Sequence, residues 1–139
     1  MSRLPALLVT HGRLGDALLE AARGIVGPLE DVTVLSNDGL SREALAQAVR
    51  ARVRDFGPGG GLLFVDVAGG SCAQAALGVA GREALGPTPV ITGVNLPMLL
   101  DFAQHRADLD PRALAARLAD KGQAAVVVFE GRPAAGPSA

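Results

Sequence analysis

The chain has no tryptophan and no tyrosine, and its 3% aromatic content is entirely phenylalanine. Base-stacking platforms and aromatic cages therefore have nothing to be built from. A charge excess of one sign is also missing: 13 Lys+Arg stand against 14 Asp+Glu, a formal net charge of −1. Without a basic surplus, nucleic acid is not an expected partner. The single cysteine, Cys72, rules out an internal disulfide and points to a reducing compartment, so a cytoplasmic protein is expected. No apolar run approaches the roughly 20 residues of a membrane helix. The start, Met1-Ser2-Arg3-Leu4-Pro5, lacks the apolar stretch and cleavage site of a secretory signal. A protein neither embedded in a membrane nor secreted is the expectation.

What is present is a core. A chain of 139 residues that is 49% hydrophobic and 19% charged fits one compact domain. Residues 1–130 are assigned to it, and the Gly/Pro/Ala-rich residues 131–139 are read as a disordered tail. Short apolar runs at residues 4–10, 32–35, 62–65, 89–92 and 124–129 alternate with segments of helical period at 15–26, 41–56, 71–81, 96–106 and 111–121. Strands separated by crossover helices define an α/β fold. Leu62-Leu63-Phe64-Val65 is apolar at every position, as a central parallel strand with both faces buried must be.

The polar candidates fall where these strands end. His11 follows the first in Val9-Thr10-His11-Gly12, Asp66 follows the third, and Thr92-Gly93-Val94-Asn95 follows the fourth. Ligands of open parallel sheets sit beyond the strands' carboxyl ends, and right-handed crossovers bring these loops to one edge. A neutral imidazole is a competent nucleophile near pH 7 if one nitrogen is deprotonated and free. Asp66 can fix the tautomer by accepting a hydrogen bond from the other. Gly69-Gly70-Ser71 opens a helix, whose free N–H groups and dipole favour an anion. Ser71 is a candidate N-cap and a hydroxyl donor to phosphate. Thr10, Gly12 and Asn95 are taken to line the site. The three loops together read as a phosphoryl-accepting histidine site that needs no metal and no cofactor.

Structural alternatives stand beside each assignment. Asp66 can cap the next turn, Gly69-Gly70 can serve only a tight turn, and Asn95 can be a plain turn residue. His105, beside Gln104 and Arg106, reads as an exposed residue, and Cys72 as an inert core residue despite its place near a helix start. A serine hydrolase using Ser71, His11 and Asp66 would lack the Gly-x-Ser-x-Gly elbow.

Across about residues 4 to 129, the chain resembles the mannose-family EIIA domain of the bacterial phosphoenolpyruvate:sugar phosphotransferase system (PTS). The resemblance rests on Val9-Thr10-His11-Gly12, on Leu63-Phe64-Val65-Asp66 followed by Gly69-Gly70-Ser71, and on Gly93-Val94-Asn95-Leu96-Pro97-Met98-Leu99. It implies a phosphotransferase in which His11 becomes phosphohistidine, taking the group from the phosphocarrier HPr and passing it to an EIIB domain in sugar transport. Asp66 would orient the ring, and Ser71 with neighbouring backbone would hold the phosphate. It also implies a mainly parallel, doubly wound sheet with helices on both faces. In the implied homodimer the last strand, here residues 124–129, is exchanged. The chain departs from the family pattern at Ala68, where a bulky residue is common, and at Ser71-Cys72, where a Ser-Pro pair is common. With no EIIB domain following, the acceptor is expected to be a separate protein. A regulatory EIIA-like protein whose phosphorylation state is read by a partner is one alternative, and the phosphoryl-transfer subunit of a dihydroxyacetone kinase is another.

Overall fold

The computed structural model describes residues 3–131. Four parallel strands, β1 (Ala6–Thr10), β2 (Val32–Ser36), β3 (Leu62–Val65) and β4 (Val90–Ile91), form one sheet in the order β2-β1-β3-β4. The helices are α1 (Leu14–Val26), α2 (Arg42–Phe56), α3 (Ser71–Arg82), α4 (Leu96–His105) and α5 (Pro111–Ala124). Every residue of β1 and β3 is buried. Because side chains alternate along a strand, the two central strands feed two cores. Ala6, Leu8, Leu62, Phe64 and Ile91 pack with Leu19, Met98, Leu99, Phe102, Leu114 and Leu118 of α1, α4 and α5. Leu7, Val9, Leu63 and Val65 pack on the other face with Leu45, Val49, Val53, Ala76 and Val79 of α2 and α3. The sheet is doubly wound, with helices on both faces.

This winding creates the site. The chain leaves β1 toward one face through α1 and leaves the neighbouring β3 toward the other through α3. The carboxyl ends of β1 and β3 thus flank the crevice at which strand order reverses. Residues 11–13 and 66–70 form its two lips.

Three sequence expectations are corrected. Residues 124–129 do not form a strand: α5 runs on to Ala124, and the exposed segment beyond it includes Val128, which is 87% exposed. Valine-rich sequence has strand propensity, but a strand exists only with a hydrogen-bonded neighbour, and this segment has none within the described chain. Gly122 does not stop α5, because it is a buried interior position where an added Cβ would lie 2.7 Å from Met98 Cε. Ser71 is the first residue of α3 and not its cap; Gly70 holds the cap position. Of the tail assigned to 131–139, residues 132–139 lie outside the described residues.

Arg106 closes the opposite end of the sheet. It is buried, its guanidinium donates to the carbonyls of Leu4 and Glu30, and it lies 5.0 Å from the Phe102 ring centroid. Burial lowers the affinity of that guanidinium for its proton, and the nearby Arg3 adds to the effect. Three elements, the start of β1, the α1–β2 loop and the end of α4, are tied by this one side chain. Among the described residues no helix is long and apolar enough to cross a membrane.

Candidate functional site

The last residue of β1, Thr10, is fully buried, and its hydroxyl accepts a hydrogen bond from the Gly15 N–H at 2.8 Å. That contact anchors the first turn of α1 against the strand. A Cβ on Gly15 would fall 2.6 Å from both Thr10 Oγ1 and Val34 Cγ1, so only glycine lets helix and strand approach this closely. Thr10 is therefore the foundation of the site and not part of its surface. Gly12, at φ 57°, turns the chain sharply after His11, and its N–H donates to Asn37 Oδ1 at 3.2 Å. Asn37 went unrecognised in the sequence; its N–H also donates to the Thr10 carbonyl, so it stitches the loop after β2 to the base of the histidine turn.

His11 emerges from this scaffold with its side chain 44% exposed. Asp66, 55 positions away, meets it from the end of β3. Asp66 Oδ2 accepts from the His11 backbone N–H at 2.9 Å and lies 2.9 Å from His11 Nδ1. Its other oxygen accepts from the Val67 N–H at 3.0 Å. Burial pushes the Asp66 carboxyl up, but the backbone and ring hydrogen bonds from His11, the ring's charge and the Val67 N–H together outweigh it, and the pKa is lowered. An ionised carboxylate can only accept, so the hydrogen between Asp66 and the ring belongs to Nδ1. In the neutral ring the lone pair is then on Nε2.

Nε2 faces the start of α3. A Cβ built on Gly70 would lie 3.8 Å from both Cε1 and Nε2 of His11, which puts the glycine beside that edge of the ring. Gly70 has φ 100° and ψ −175°, a region essentially closed to residues with a side chain. No side chain caps α3. Three of the other four helix starts have a capping side chain. Ser41 caps α2, Asn95 caps α4 and Asp110 caps α5, each accepting from a backbone N–H, while Thr10 serves the first turn of α1. The first-turn N–H groups at Ser71, Cys72 and Ala73 thus have no capping side chain, at the positive end of the helix dipole. Gly69 is exposed beside them and Ser71 is partly buried at the rim.

Asn95 has its amide engaged by α4 and α5. Its Oδ1 accepts from the Met98 N–H at 3.0 Å and its Nδ2 donates to the Gly122 carbonyl at 3.1 Å, so the amide caps α4 and ties it to α5. His105 is partly buried instead of exposed, 3.8 Å from Asp101 and 3.9 Å from Asp108. Cys72 is fully buried, in the core formed with α2, yet it sits at the site's floor. Its thiol is pushed up by burial and by the charge of Asp66, against a hydrogen bond from Ser71, and stays protonated.

An exposed imidazole is thus anchored through one nitrogen at a doubly wound switch point and faces an uncapped helix. Solved structures share the fold. The EIIA component from Streptococcus agalactiae superposes with a TM-score of 0.84 at 22% identity, over 93% of this chain and 99% of that one. The mannose/sorbose-specific IIA subunit from Enterococcus faecalis gives 0.76 at 27% identity, over 93% and 96%. The PTS IIA protein associated with the fucose utilization operon of Streptococcus pneumoniae gives 0.73 at 19% identity, over 92% and 96%. A search of curated proteins found no match. A family model described as EIIA-man, the PTS system fructose IIA component, matches residues 6–119, and the chain belongs to that family.

Proposed function

We propose that this protein is a phosphohistidine relay. His11 accepts a phosphoryl group from HPr and passes it to an EIIB-type acceptor, for sugar uptake or for regulation by phosphorylation state. The single observation that carries the reading is the free Nε2 of His11 beside the uncapped start of α3. In the transfer, the bond between phosphorus and the donor breaks as the Nε2–P bond forms, and the ring becomes positively charged. Asp66 holds the Nδ1 proton throughout and stabilises that charge. The N–H groups at the start of α3 and the Ser71 hydroxyl hold the phosphoryl oxygens. The transition state is loose, so positioning and electrostatics suffice. The return step is the same chemistry with the EIIB-type acceptor in place of the donor.

The exposed apolar side chains of Leu14, next in the chain to one lip of the site, and of Val67, in the other lip, supply contact surface for a protein partner. Residues 126–129, with Val126, Val127, Val128 and Phe129 all exposed, pair in this reading with the free edge of β4 in a second copy of the chain. Sedimentation would report a dimer, and a monomer at all concentrations would remove this part. The relay itself is tested by incubating the protein with phosphoenolpyruvate, enzyme I and HPr. Wild type should be labelled and His11→Ala should not; equal labelling of the two defeats the reading.

A further inference from the structure

We propose that His11, Asp66 and Cys72 form a binding site for a thiophilic divalent cation of the Zn2+ type, and that the bound ion switches off phosphoryl acceptance at His11. One ring nitrogen, one carboxylate oxygen and the Cys72 sulfur lie within 4.8 Å of one another. No other group of three His, Cys, Asp or Glu side chains gathers this closely among the described residues. A tetrahedral zinc with bonds of about 2.0–2.3 Å holds its ligand atoms about 3.3–3.8 Å apart, so movements on the order of 1 Å complete the set. The nitrogen, oxygen and sulfur donors suit zinc, and the thiol selects against Mg2+ and Ca2+, which take oxygen ligands. The exposed face of His11 gives the ion a path in and leaves the fourth position to water.

The charges balance in a simple exchange. Without an ion the Cys72 thiol keeps its proton, next to the negative Asp66. On binding, the S–H bond breaks, the sulfur–metal bond forms and the proton passes to solvent. The cation replaces a proton beside a carboxylate that favours positive charge. If the ion takes Nδ1, the ring proton moves to Nε2, the hydrogen bond to Asp66 is lost and no ring lone pair is left; if it takes Nε2, the nucleophilic lone pair is occupied. Neither ring can accept phosphoryl. The binding rests on geometry alone, whereas the switch rests on the relay reading above.

The test uses the purified 139-residue chain. Zn2+ is titrated in competition with a chromophoric chelator, and Co2+ is added separately to look for a sulfur-to-cobalt charge-transfer band. The expected result is one ion per chain and a clear band in wild type. Cys72→Ala and Cys72→Ser should both lose the band and bind Zn2+ at least about tenfold more weakly, whereas His105→Gln should match wild type. In the labelling reaction, zinc should lower the rate in wild type, while the ratio of rates with and without zinc stays near one in the Cys72 variants. Unchanged zinc affinity in the Cys72 variants, a cobalt complex without the sulfur band, or loss of the ion in His105→Gln overturns the site. Labelling indifferent to bound zinc overturns the switch. Metal binding as described with no labelling of wild type overturns the relay and leaves the site standing.

Discussion

Two strand-to-helix turns lie at the same edge of the sheet and look alike in sequence, each a short run of glycine and small polar residues between an apolar strand and a helix. After β4, the turn ends in Asn95, whose amide satisfies both the Met98 N–H and the Gly122 carbonyl. After β3, the turn ends in Gly70, whose cap position offers α3 no side chain at all. The first turn is closed on itself and holds α4 against α5. The second leaves its helix N–H groups to whatever approaches His11. A glycine at the cap position costs a helix only about a few tenths of a kcal/mol relative to a capping side chain, and here it stands beside the one exposed imidazole of the crevice.

Substitutions can break or sharpen this contrast. The largest effect is expected from Asp66→Asn, which keeps the shape but removes the charge and permits the wrong ring tautomer. Labelling should slow by roughly 10–100-fold with little change in the melting curve, by analogy with lost partners of metal-bound histidines. Retention of the wild-type rate would show that the ring needs no anchoring. Gly70→Ala comes next. It places a side chain at φ 100° and next to Nε2, so it should cost about 1–3 kcal/mol in denaturant unfolding and also slow labelling. The smallest effect is that of Asn95→Ala. Loss of its cap should cost about 1 kcal/mol, a fall of about 3–4 °C in Tm, while the folded protein is still labelled. If Asn95→Ala abolished labelling in a folded protein, the two turns would not differ in the way proposed.

Much of this was legible in the chain because parallel sheets obey strict rules. The all-apolar Leu62-Leu63-Phe64-Val65 reads as a central strand, and right-handed crossovers put the strand ends carrying His11 and Asp66 at one edge; that the two meet follows from the pairing of β1 with β3. The same logic could not separate Asn95 from Ser71. Both follow strands at the same edge, and only side-chain geometry reveals that one amide is engaged. Arg106 was hidden for a different reason: it ends a helix beside polar residues, and its burial depends on carbonyls of Leu4 and Glu30, far away in sequence. Residues 124–129 misled because strand propensity says nothing about whether a neighbouring strand is there to pair with.

The account turns on which nitrogen of His11 is free. Nitrogen NMR of the unphosphorylated protein, followed by NMR of the phosphorylated form, decides it directly. The geometry predicts an Nδ1–H tautomer in the neutral ring and a phosphoryl group on Nε2. A phosphoryl group on Nδ1, or an Nε2–H tautomer in the resting protein, would contradict the proposed roles of Asp66 and of the open helix start.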